Sequence, residues 1–86
     1  MPDLRARFKR AQQSVSALAT RPDNLTLLRL YALYKQATVG DADDELADSA
    51  DFVRRAKYEA WDEIRGTSAE DAMQQYIDLA GKLNNG

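Results

Sequence analysis

Apolar residues return every three or four positions in four separate stretches of this chain, and no useful length alternates apolar with polar. That rhythm belongs to amphipathic helices and leaves no material for a sheet. In the first stretch Leu4, Phe8, Ala11, Val15 and Leu18 form one stripe, while Arg5, Lys9 and Arg10 point elsewhere. Thr20-Arg21-Pro22-Asp23-Asn24 then breaks the helix: Pro22 disfavours a helical Arg21, and Asp23 or Asn24 can cap a new start. The second stretch, residues 25–39, is apolar over a wider arc through Leu27, Leu28, Leu30, Tyr31, Leu33, Tyr34 and Ala37. Such a helix is expected to be central, or to line a groove as well as a core. Gly40 stops it.

Residues 41–51 are acidic and without period, and read as a long loop. Their carboxylates suggest calcium, but a calcium loop of the EF-hand type needs glycine at its sixth position and glutamate at its twelfth. Counted from Asp41, those positions hold Leu46 and Phe52, so no metal site is expected. The third stretch, residues 52–65, sets Phe52, Ala56, Ala60, Trp61 and Ile64 on one side, and Gly66 closes it. Thr67 with Glu70, or Ser68 with Asp71, can form a capping box for the fourth. There Ala72, Met73, Tyr76, Ile77, Ala80 and Leu83 share a face, before fraying at Asn84-Asn85-Gly86. The expectation is an all-α fold of four helices, one domain over residues 1–86, with its longest connection between the second and third.

Composition narrows the chemistry. With 44% hydrophobic and 30% charged residues the chain reads as globular. A net charge of −2 argues against nucleic acid as a partner, while leaving room for a local basic pocket. The chain contains no cysteine, hence no disulfide and no thiolate ligand or nucleophile, which fits a cytoplasmic address. It contains no histidine, so the commonest general base near neutral pH is missing. No run of about 18 apolar residues is present, so no stable membrane insertion is expected. The N-terminus lacks the apolar core of a signal peptide.

Tyr31, Tyr34 and Lys35 are spaced i, i+3 and i+4, which projects two phenols and an ammonium from one side of a helix. That trio suits a nucleotide, with a ring stacked on a base and the donors on phosphate. It equally suits two tyrosines at the edge of a core beside a solvated helix-end charge. Lys57 and Trp61 stand one turn apart on the third helix, where Lys57 joins Arg54 and Arg55 in a small basic cluster. Tyr76 lies on the fourth apolar stripe, where simple packing would explain it.

Three blocks, in order, decide between these readings: Tyr31-x-x-Tyr34-Lys35-Gln36-Ala37-Thr38-Val39-Gly40-Asp41, then Ala56-Lys57-Tyr58-x-Ala60-Trp61, then Gly66-Thr67-Ser68-x-Glu70-Asp71-Ala72-Met73-x-x-Tyr76-Ile77. Together with Phe8 and the break at Arg21-Pro22, they make the chain resemble the acyl-CoA-binding proteins over nearly its whole length. The resemblance implies an up-down-down-up bundle of four helices holding fatty acyl-CoA in an open bowl. It implies Tyr31, Lys35 and Lys57 around the adenosine 3′-phosphate, Tyr34 against the adenine, and Tyr76 nearer the acyl chain. Leu27 and Leu28 would help line the acyl groove. Phe8, Val15, Leu18, Tyr76, Ile77 and Leu83 would pack the first helix on the last. Gln12 replaces an alanine of the adenine region, and Ser16 and Val53 stand where many relatives carry lysine near the phosphates. Tyr58 takes the place of a second tryptophan, and Leu46-Ala47-Asp48 that of an Arg-Pro-Gly turn.

The implied function is carriage of medium- to long-chain acyl-CoA esters by a monomer that needs no cofactor and makes or breaks no bond. Two-point phosphate binding and chain burial, up to about 0.8 kcal/mol for each CH₂, account for it physically. Two other classes compete. One is a helical module using the wide apolar arc of the second helix as a peptide groove. The other is a thioesterase, which would lack any Ser-His or Cys-His arrangement.

Overall fold

The computed structural model describes residues 3–43 and 51–85. It contains four helices, α1 (Leu4–Ser16), α2 (Asn24–Thr38), α3 (Phe52–Asp62) and α4 (Ala69–Asn85). Each opens on a polar cap that satisfies a first-turn amide. The amides of Ala6 and Thr26 each donate to Oδ1 of Asp3 and Asp23, both at 2.7 Å. Asp51 Oδ1 accepts from Val53 and Arg54, and Ser68 Oγ accepts from the Asp71 amide at 3.1 Å. Asp23 is therefore the cap of α2, and Ser68 takes the cap of α4 in preference to Thr67. Gly40 and Gly66 end α2 and the turn after α3 with φ of 102° and 90°, the left-handed region where a Cβ is strained.

Two helices stop earlier than their apolar stripes. After Ser16 the Ala17 amide is shared between the Gln13 and Ser14 carbonyls, at 3.1 and 3.3 Å, and the Leu18 amide reaches Val15, three residues back instead of four. Leu18 is consequently half-buried in a turn and is not part of the main core. Likewise Ile64 and Arg65 donate to Trp61 and Asp62, so α3 ends at Asp62 and not at residue 65. At the C-terminus the helix persists through Asn85 where fraying was expected, helped by Asn84 Nδ2 donating to Ser14 Oγ and the Ala80 carbonyl. The acidic connection expected as a long loop, with its Leu46-Ala47-Asp48 turn, falls mostly on residues 44–50, outside the described residues.

Side-chain pairs give the helix directions. Phe8 meets Tyr76, and Ser14 meets Asn84, so α1 and α4 run parallel. Gln36, near the end of α2, reaches Thr67 just before α4, and Arg29 reaches Gln75, so those two are antiparallel. Tyr31 with Lys57 and Lys35 with Trp61 make α2 and α3 parallel. The result is the up-down-down-up bundle. A parallel α2–α3 pair needs a connection that runs back along a helix length, which is why the longest one lies there.

As its wide apolar arc predicts, α2 is central, packed on α4 along one side and α3 along another. The main core joins Phe8, Leu30, Leu33, Met73 and Tyr76, with Ala11, Ala37, Ala72 and Ala80 letting the backbones approach. A smaller core gathers Ala32, Ala42, Tyr58 and Trp61 between α2 and α3. Phe52 departs from the sequence reading. It was expected on the buried side of α3 and is 83% exposed, on the wall of an open groove that it lines with Leu27 and Leu28.

Candidate functional site

The parallel alignment of α2 and α3 builds a two-rung ladder along their seam. On one rung the Lys57 ammonium lies 5.2 Å from the centre of the Tyr31 ring. On the other, one turn along, the Lys35 ammonium lies 5.3 Å from the centre of the Trp61 ring. Each lysine sits on the aromatic of the opposite helix, within cation–π range. Both ammoniums are thereby held at the seam, about one helical turn apart, instead of sweeping through solvent. Trp61 is fixed in turn: its Nε1–H donates to the Gly40 carbonyl at 2.7 Å.

The i, i+3, i+4 trio does not act as one face. Tyr31 and Lys35 turn toward α3, whereas Tyr34 turns toward α1, its ring 6.2 Å from Phe8. Tyr34 is 39% exposed, so an aromatic surface lies open beside the ladder. Tyr76 is buried and meets Phe8 edge-on at 5.1 Å, which makes it first of all a core residue. Burial pushes its phenol up from the ordinary value of 10.0, with a smaller contribution from Tyr34. It stays a neutral donor at physiological pH. Gln12 and Ser16 follow Phe8 at steps of four on α1. Because α1 runs antiparallel to α2, they step from the Phe8–Tyr34 contact toward the Tyr31 and Leu27 end of α2.

An apolar groove of about 360 Å³ adjoins the ladder. Leu27 and Leu28 line it from α2, and Phe52, Val53, Ala56 and Lys57 line it from α3. Lys57 thus belongs to both the ladder and the groove. Arg54 and Arg55, grouped with Lys57 in the sequence reading, are exposed and stand apart from its ring contact.

Below the ladder a latch joins the chain end of α2 to the turn before α4, and sequence reasoning foresaw none of its bonds. Gln36 is 2% exposed, and its amide nitrogen donates to Asp41 Oδ1 and to the Thr67 carbonyl, both at 2.8 Å. Asp41 Oδ1 also accepts the Gly66 amide at 2.8 Å. These bonds, the Gly66 amide first and the Gln36 side chain second, hold the Asp41 carboxyl below its ordinary value of 3.8. Arg65 braces the same corner through Asp62 and the Ala42 carbonyl. The only sequence signal was a glutamine at an otherwise apolar position of α2.

The site therefore offers two fixed cations, phenol donors, an open aromatic face and an apolar trough. It suits a polyanion with a tail. A family model described as Acyl CoA binding protein matches residues 5–80.

The chain belongs to the acyl-CoA-binding protein family. It is 46% identical over 76 residues to the Acyl-CoA-binding protein of Saccharomyces cerevisiae, covering 88% of this chain and 87% of that one. The same identity and coverage relate it to Acyl-CoA-binding protein 2 of Saccharomyces pastorianus. Its fold superposes on the crystal structure of Oryza sativa Acyl-CoA-Binding Protein 2 with a TM-score of 0.89. That pair shares 32% identity, over 96% of this chain and 92% of the rice one. The acyl-CoA-binding family is one of binding proteins and not of enzymes. Among the described residues, no helix is long and apolar enough to cross a membrane.

Proposed function

We propose that this chain binds medium- to long-chain fatty acyl-CoA esters and carries them within the cytoplasm, as a monomer and without catalysis. The observation that carries this reading is the double membership of Lys57. Its ammonium lies over Tyr31 in the ladder, and its stem lines the apolar groove beside Leu27 and Leu28. A ligand that places a phosphate on Lys35 and Lys57 has an apolar trough immediately at hand for an acyl chain. Lysine suits a phosphate monoester as a compact point charge, and the Tyr31 hydroxyl adds a donor. Tyr34, open beside the ladder, supplies a face for the adenine, with Gln12 and Ser16 along the α1 wall. Tyr76 shapes the bowl from beneath through Phe8 and Tyr34.

Head and tail must then bind together. In calorimetric titration, palmitoyl-CoA binds far more tightly than free CoA or free palmitate, and palmitate matching the thioester would sink the reading. Affinity rises with chain length until the groove fills, by no more than roughly tenfold per two methylenes. Incubation with acyl-CoA releases no CoA thiol, and release would return the thioesterase reading. Native mass spectrometry of the purified protein identifies which ester it carries.

A further inference from the structure

The chain starts of α2 and α3 lie at the same end of the bundle, because the two helices are parallel. Three of the five large apolar side chains that stand exposed among the described residues gather there: Leu25 at 81%, Phe52 at 83% and Val53 at 61%. Around them stand exposed arginines. Arg21 lines a groove with Phe52 and Val53, Arg55 lines a smaller hollow with Phe52, and Arg54 follows Val53 in the chain. Three acidic residues stand at this end among the described residues: Asp23 and Asp51 are helix caps whose carboxylates face the first-turn amides, and Glu59 lines the smaller hollow with Phe52 and Arg55. The tip is therefore apolar in the middle, with the three arginines outweighing the one carboxylate at the rim that caps no helix.

Such a surface costs free energy in water, since apolar side chains this exposed gain nothing from the fold. Side chains this exposed on the first turns of two helices can enter a deformable interface without any change in the fold. We infer that this tip docks on the surface of an anionic lipid bilayer. Leu25, Phe52 and Val53 enter the boundary between headgroups and acyl chains, and Arg21, Arg54 and Arg55 bind lipid phosphates. Docking in this pose sets the mouth of the apolar groove, where Arg21, Phe52 and Val53 meet, against the headgroups. The contact is peripheral and reversible. It does not depend on the proposed acyl-CoA binding and is tested without that ligand.

The absence of cysteine from the chain makes a single-site label simple. An environment-sensitive dye on Leu25→Cys brightens and shifts to the blue when phosphatidylserine–phosphatidylcholine vesicles are added. It does so weakly with phosphatidylcholine alone. The same dye on Gln13→Cys, exposed on α1, stays unchanged. Replacing Arg54 and Arg55 together by alanine in the Leu25→Cys chain lowers partitioning about 25-fold, roughly fivefold for each charge. Circular dichroism verifies that each variant is folded, and the two label positions decide the matter even if the double variant is not. A response at Gln13→Cys with none at Leu25→Cys would move docking to the cationic α1 face and overturn the inference. So would a silent dye with vesicles but a shift with polyglutamate, which would make the tip a protein contact.

Discussion

Lys57 on α3 rests its ammonium 5.2 Å from the centre of the Tyr31 ring on α2, and the same lysine lines the apolar groove. One residue therefore links helix packing, the cationic ladder and the trough. Lys57→Ala and Lys35→Ala are each expected to weaken palmitoyl-CoA binding about 10- to 100-fold at low salt, the range of a charge-assisted hydrogen bond. The loss should shrink as salt rises, because screening already weakens the wild-type contact. Calorimetry across a salt series checks this, and a loss that ignores salt would remove charge as the reason.

Tyr31 separates two roles. Tyr31→Phe keeps the ring under Lys57 and removes only the hydroxyl, whereas Tyr31→Leu removes both. The first should cost about 0.5–1.5 kcal/mol of binding free energy, and the second more. Equal affinities for the two variants would mean that the ring does not position the lysine.

Gln36→Leu deletes the buried amide that ties Asp41 to the Thr67 carbonyl. Leaving those partners short of a donor should destabilise the fold by about 1–3 kcal/mol. In a chain of this size each kcal/mol lowers the melting temperature by about 4–8 °C. A thermal melt at neutral pH is sufficient, and an unchanged midpoint would make the latch incidental.

Asp41 has a folded pKa below its ordinary 3.8, so the folded state binds its proton less readily than the unfolded state. Its stabilising contribution is complete above that ordinary value and is lost as pH falls through the depressed folded one. Asp23, held down by the Thr26 amide, acts in the same direction. Urea unfolding of wild type and Asp41→Asn should show a gap at neutral pH that narrows steadily below about pH 4. A constant gap would mean that the carboxylate charge plays no part.

Leu33 is 1% exposed at the centre of the main core. Leu33→Ala should cost about 2–5 kcal/mol through lost burial and the cavity left behind. Phe8→Ala should cost about 3–5 kcal/mol and also free the Tyr34 and Tyr76 rings that it touches. Near-ultraviolet circular dichroism and chemical unfolding report both effects.

The sequence by itself determined the four helices, their order and most of their ends. Those depend on contacts within three or four residues: apolar period, a cap at Asp23 or Asn24 and at Thr67 or Ser68, and Gly40 and Gly66 as stops. Where it overran, at Leu18 and Ile64, the apolar period continued after the backbone had tightened to shorter hydrogen bonds, a change that leaves no mark on composition. It also brought out the residues of the candidate site one by one. Only the tertiary structure decided how they combine. The parallel setting of α2 against α3 puts Lys57 on Tyr31 and Lys35 on Trp61, while Tyr34 turns away to Phe8. It also buries Gln36 in the latch and leaves Leu25 and Phe52 uncovered at the tip. Each of these outcomes depends on which helix lies beside which, at what height and in which direction. Periodicity along one helix cannot carry that information.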